Sequence, residues 1–161
     1  MNTQTTKQRV IRRRLVGVAV AFAVLAAAPA RAADVGVRGG IYSFEHGPDR
    51  PFLGAELLLH AGGGFYVNPN AEFVFVDGRR FFTLNLDAHY DLPVRGPYLW
   101  IGGGLAVEVA DPDGPAASST EAHANVLAGI GFRTGAVVPY VQLKLVTGAP
   151  TIVVAAAGIR F

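Results

Sequence analysis

Ser119, Glu121 and His123 occupy alternate positions in one stretch of the chain. A hydroxyl, a carboxylate and an imidazole are the parts of a nucleophilic hydrolase. Asp87, His89 and Asp91 repeat the spacing with two carboxylates around an imidazole, a set that could hold a cation. In an extended chain that spacing puts each trio on one face, but it also sets residues i and i+2 about 7 Å apart, too far for a nucleophile to reach its base. A triad would need help from another strand, and a metal would need a fourth ligand that the neighbouring sequence does not offer. Both trios therefore read best as polar side chains of a hydrogen-bonded interior. The glycine clusters Gly102-Gly103-Gly104 and Gly129-Ile130-Gly131 are followed by no helix start that could receive a phosphate, so they are expected to relieve crowding between strands. The chain has no cysteine, which excludes thiol catalysis, disulfides and thiolate metal sites.

The elements that carry these residues are strands. From Phe82 to Leu92 the even positions (Phe82, Leu84, Leu86, Ala88, Tyr90, Leu92) are apolar and the odd ones (Thr83, Asn85, Asp87, His89, Asp91) polar, the mark of a strand with two unlike faces. Turn-forming clusters divide the chain after residue 33 into eight such stretches: Asp34–Ser43, Phe52–His60, Phe65–Val76, Arg80–Leu92, Pro97–Val109, Thr120–Arg133, Ala136–Val146 and Pro150–Phe161. In the third, Asn68-Pro69-Asn70 could itself make a turn, but that would leave only the segment from Ala71 to Val76, short of the roughly 9–11 residues of a tilted membrane strand. The turn is therefore expected at Gly62-Gly63-Gly64, with Pro69 accommodated at a bulge or at the strand's end. The longest connection, around Asp111-Pro112-Asp113-Gly114-Pro115, falls on the side opposite the chain ends.

The first residues are read apart from the fold. Lys7, Arg9, Arg12, Arg13 and Arg14 precede an apolar run from Leu15 to Ala28, and Ala30-Arg31-Ala32 offers small residues at both recognition positions of a signal peptidase. Residues 1–32 are thus expected to be a cleaved signal peptide, and 33–161 the folded domain. The apolar run is too short for the roughly 20 residues of a transmembrane helix. Six of the fourteen bases lie in this leader, leaving eight bases against twelve acids in the remainder. No basic stripe remains to recommend nucleic-acid binding.

Alternation aims Arg38, Glu56, Glu72, Asp87, Glu108 and Lys144 into a shared interior, together with Arg133 and Arg160. Charges confined there must pair, with Arg38 and Glu56 on adjacent strands the expected first pair. The aromatic residues fall towards the strand ends, with Tyr42, Phe44, Phe52, Phe73, Phe75, Phe81 and Phe82 towards one rim. Phe65, Tyr66, Tyr90, Tyr98, Trp100, Phe132, Tyr140 and Phe161 fall towards the other, as two interfacial aromatic bands would. The last stretch ends on Phe161 with Ile159 two residues before it.

That ending, joined to the leader and the alternating strands, resembles the small eight-stranded bacterial outer-membrane β-barrels of the OmpA-membrane-domain and OmpX type. The resemblance implies an all-β, antiparallel, up-and-down transmembrane barrel in the bacterial outer membrane, with Ile159 and Phe161 as its assembly signal. It implies outer-membrane lipid and the barrel-assembly machinery as partners, and no inherited active site or cofactor. The expected function is a non-enzymatic structural one, with adhesion or binding through external loops. A narrow channel is the alternative, and a lipid A hydrolase the third reading. Some barrels of this size modify lipid A, but His123-Ala124-Asn125 lacks the hydroxyl residue that the deacylases carry directly after their histidine.

Overall fold

Two-residue periodicity, broken by glycine turns, folds this chain into strands only. A computed structural model describes residues 33–76, 79–112, 119–133, 135–148 and 151–161, apart from the side chains of Arg79, Asp111 and Pro112. The expected leader and the tip of the longest connection, residues 113–118, lie outside the described residues. The strands are β1 (Ala33–Phe44), β2 (Arg50–Gly62), β3 (Phe65–Val76), β4 (Arg79–Leu92), β5 (Tyr98–Pro112), β6 (Ser119–Gly131), β7 (Val138–Val146) and β8 (Ile152–Arg160). Each pairs antiparallel with its neighbour, and β1 meets β8 from Gly36↔Arg160 to Phe44↔Ile152, closing the barrel. The expected third strand coincides with β3. The others shift by up to three residues at their ends, most at β5, which runs on to Pro112.

Closure puts the start of β1 and the end of β8 at one end of the barrel, the terminal end, with the turns at residues 63–64 and 93–97 and the described residues 132–133 and 135–137. The other end is the far end. Gly62, Gly63 and Gly64 all have positive φ, so the β2–β3 turn uses a backbone conformation that other residues resist. Pro69 is neither at a bulge nor at a strand end, contrary to expectation. It sits mid-strand opposite Leu86 in an unbroken β3–β4 ladder, while the β2–β3 ladder lapses between Glu56↔Asn70 and Leu59↔Val67, where proline has no N–H to give. The bulge lies instead between His60 and Gly62.

Burial inverts the order of a soluble sheet. Leu53, Leu86, Leu105, Leu143 and Phe65 are exposed on the outer wall, whereas Arg38, Glu56, Glu72, Asp87, Lys144 and Arg160 are buried inside. The aromatic residues behave in two ways. Phe65, Phe75, Phe82, Phe132 and Phe161 face outward. Tyr42, Phe52, Trp100 and Tyr140, expected in the interfacial bands, are turned inward and buried, because their positions share parity with the lumen residues of their strands. The far half of the lumen is consequently apolar, with Tyr42, Phe52, Val74, Val146, Ile152 and Val154 in one cluster, and Trp100, Leu127 and Tyr140 form a second near the terminal end.

Candidate functional site

Between these two apolar layers lies a self-neutral ion network of three cations and three carboxylates. Arg160 Nε donates to Glu56 Oε1 at 2.7 Å, and Arg38 reaches Glu56 at 3.5 Å and Glu72 at 3.1 Å. Lys144 Nζ meets Asp87 at 2.8 Å. Tyr42 donates its hydroxyl proton to Glu72. Asparagines join the two halves: Asn68 donates to Glu56, Asn70 and Asn125 to Asp87, and Asn85 to Asn70. The arrangement satisfies buried charge by mutual pairing and by amide donors.

Every strand except β5 supplies a charged or amide side chain to this network; β5 supplies Tyr98 and Trp100 beside Arg160, and elsewhere room. At Gly104 a Cβ would stand 2.5 Å from Asp87 Oδ1, and at Gly102 one would stand 2.1 Å from the Ala88 carbonyl oxygen. Gly129 likewise makes way for the Trp100 ring, which a Cβ there would meet at 2.1 Å. Trp100 and Tyr140 flank the Arg160 guanidinium at 5.2 and 4.3 Å from their ring centres, so the cation is held by π faces as well as by Glu56.

The structure brings together Arg38, Glu56, Glu72, Asp87, Lys144 and Arg160 but leaves two of the expected residues elsewhere. Arg133 is no lumen residue: it follows the end of β6, its side chain is 67% exposed, and its guanidinium lies 4.9 Å from the Tyr98 ring centre. Glu108 points inward near the far end, opposite Glu121 in the β5–β6 register and 3.8 Å from His123 Nε2. Arg38, expected to pair first with Glu56, is closer to Glu72; Arg160, from the strand at the other end of the sequence, is the closer partner of Glu56. The asparagines and the inward aromatics were missed, although their strand parity was readable.

Neither chemical trio assembles as a catalytic or metal centre. His89 is buried against Trp100, with its Nε2 3.7 Å from Asp91. His123 points Nδ1 at the Thr147 carbonyl oxygen at 3.1 Å and Nε2 at Glu121 and Glu108, at 3.6 and 3.8 Å. Nδ1 is thus held by a backbone carbonyl, and the groups that face Nε2 are carboxylates, with no contact to Ser119 among the described residues. Among the described residues no group of three His, Cys, Asp or Glu side chains stands ready to hold a metal ion.

No family model and no curated protein matches the chain. Solved structures do. The N-terminal β-barrel domain of Pseudomonas aeruginosa OprF superimposes with a TM-score of 0.60 at 15% identity, over 80% of this chain and 97% of that one. The chain has the fold of the small eight-stranded outer-membrane barrels. Ail, the attachment invasion locus protein of Yersinia pestis, aligns with a TM-score of 0.53 at 12% identity, over 81% of this chain and 97% of Ail. The outer-membrane enzyme PagL gives 0.51 at 13% identity, covering 78% of this chain and 98% of PagL. At such identities the likeness is one of architecture: a closed antiparallel barrel with an apolar outer wall, shared by proteins with different activities.

Proposed function

We propose that this chain is a non-enzymatic protein of the bacterial outer membrane, exported by the removal of residues 1–32, whose sealed barrel displays a strand edge for attachment. The terminal end then faces the periplasm and the far end the exterior. The observation that carries the reading is the unequal height of the strands. β5 and β6 pair from Tyr98↔Gly131 to Ala110↔Ser119, whereas β6 and β7 pair only from Gly131↔Tyr140 to Asn125↔Val146. Beyond Val146 the last contact is Thr147, whose N–H and hydroxyl both donate to the Ala124 carbonyl. Ala124 therefore turns its backbone groups away from β5, and by alternation so do Ala122 and Thr120, which meet no strand on that side among the described residues. Such an edge can accept an extended segment of another protein. Ail, an attachment protein by name, is one of the barrels with this fold.

The filled lumen supports this reading over a channel: aromatic and apolar side chains lie on both sides of an ion network in which each charge has an opposite neighbour, and eight strands leave an interior that side chains fill. PagL shows that the fold can carry an enzyme, but His123 turns Nδ1 to the Thr147 carbonyl and Nε2 towards Glu121 and Glu108, which counts against Ser119 as a nucleophile here. The test is to display the protein on a non-adherent Gram-negative host and to score adherence to immobilised extracellular-matrix proteins. Wild-type cells should adhere, and Ala122→Pro, which removes an N–H from the open edge alone, should lower adherence while the barrel remains folded. Planar-bilayer conductance, or lipid A losing an acyl chain on expression, would instead favour the channel or the hydrolase.

A further inference from the structure

We infer that the open β6 edge takes a basic extended segment, one with lysine or arginine at alternate positions, so that the partner of the proposed attachment site is a cationic strand. The inference rests on the reading of that edge given above and adds the charge of what it binds. Ala124, Ala122 and Thr120 turn their backbone groups to the open side, so an added strand continues the sheet beside β6. Every second side chain of such a strand then falls on the inner face of the β5–β6 extension, next to Ser119, Glu121 and His123. The others fall on the outer face, next to Thr120, Ala122 and Ala124.

The two faces ask for different chemistry. The outer one is small and uncharged. The inner one is acidic: Glu121 lies directly opposite Glu108 in the β5–β6 register, where like charges repel, and the Glu121 side chain is 67% exposed. His123 Nε2 stands 3.6 and 3.8 Å from the two carboxylates. Beside a neutral imidazole the ionised pair carries two negative charges, and beside a protonated one it still leaves a net negative charge, so the sign of this face does not depend on the state of His123. Nor does the hairpin supply a stronger base: residues 96–132 hold Glu108, Asp111, Asp113 and Glu121 and no lysine or arginine. Arg79 and Arg80, on β4, lie opposite Pro112 and Asp111, across β5 from the open edge. A cation set beside Glu121 by an added strand meets an opposite charge, and a carboxylate in the same place is repelled. Backbone pairing holds a segment of any sequence, and the inner face selects among such segments.

The experiment measures the binding of labelled peptides to residues 33–161, folded in zwitterionic detergent micelles, by fluorescence anisotropy at neutral pH and low salt. The peptides alternate threonine with lysine, with serine or with glutamate. The lysine peptide should bind at least about fivefold more tightly than the serine peptide and the glutamate peptide most weakly, and about 1 M salt, which cuts the screening length to about 3 Å, should remove the differences. Glu121→Gln should cut the preference for lysine over serine about two- to fivefold, and Glu45→Gln, at an exposed acid in the β1–β2 connection, should leave it unchanged. Ala122→Pro should weaken every peptide, with the heat-modifiable gel form retained in all three variants. If the lysine and serine peptides bind alike, or if Glu121→Gln lowers the preference no more than Glu45→Gln does, the edge is indifferent to charge and this inference fails while the attachment reading stands. If no peptide binds wild type, or if Ala122→Pro binds them all as wild type does, the edge is no docking site and both readings fail.

Discussion

Replacing Glu56 by alanine isolates the energetic centre of the lumen. The carboxylate accepts from Arg160 at 2.7 Å and Asn68 at 2.9 Å and meets Arg38 at 3.5 Å, and the side chains of Glu56 and both arginines are almost wholly buried. Without it, Arg38 keeps Glu72, but Arg160 keeps only the Tyr98 hydroxyl at 3.4 Å and the faces of Trp100 and Tyr140. A buried charge that loses its partner costs about 3–5 kcal/mol, whereas replacing both partners by apolar residues of similar volume is often close to neutral. Glu56→Ala should therefore destabilise by about 3–5 kcal/mol, and Glu56→Leu combined with Arg160→Met should recover most of that loss. Exposed Glu45, in the β1–β2 connection, serves as the control, and its change to alanine should be indistinguishable from wild type. Urea unfolding of the vesicle-inserted barrel is the assay. Trp100 is the single tryptophan and lies 5.2 Å from the Arg160 guanidinium, so its emission reports on this layer. A Glu56→Ala loss below about 1 kcal/mol, or a double variant worse than the single, would refute the pairing argument.

Three further outcomes are expected. An arginine walked along the outer wall through Leu84, Leu86, Ala88 and Tyr90 should cost most at mid-strand, about 2–4 kcal/mol, when folding into lipid vesicles is measured; a flat profile would remove the wall from the bilayer. Gly129→Ala drives a Cβ to within 2.1 Å of Trp100 and should cost about 1–3 kcal/mol with a shift in tryptophan emission, while Gly47→Ala in the β1–β2 connection should change neither. Deleting Phe161 removes an exposed ring and the N–H bond to the Val35 carbonyl at 2.9 Å, so it should reduce the heat-modifiable form in cells far more than it alters unfolding of purified barrels; equal losses in both assays would make it a stability residue and no assembly signal.

Most of the fold was legible because a two-residue period separates inward from outward side chains without reference to any other strand. The inward aim of Glu72, Asp87 and Lys144 follows from that period, while the eight strands and the turn at Gly62-Gly63-Gly64 follow from turn-forming clusters and strand length. Pairing partners do not. Which inward cation meets which carboxylate depends on tilt and register around the whole barrel, and Arg160 reaches Glu56 across a sequence separation of 104 residues. The aromatic residues were misread for a related reason. Their level along the strand suggested interfacial bands, but parity decides facing, and parity turns Tyr42, Phe52, Trp100 and Tyr140 inward. Arg133 was misplaced because strand parity was extended past Gly131, where β6 ends.

The same reasoning explains why the polar interior says little about what the protein does. Three carboxylates balance three cations at the centre, amides bridge the remainder, and glycines on β5 clear the space they need. Each of these charges faces one of opposite sign inside the lumen, so the pairing by itself accounts for their burial without a substrate or an ion in transit. At the far end two carboxylates stand opposite one another beside an imidazole, and among the described residues the β6 edge above them pairs with no strand. Unmet charge and unmet backbone groups are what a ligand or a partner protein can satisfy. Function in this barrel is therefore to be sought where β5 and β6 outgrow β7, away from the chemically richer lumen.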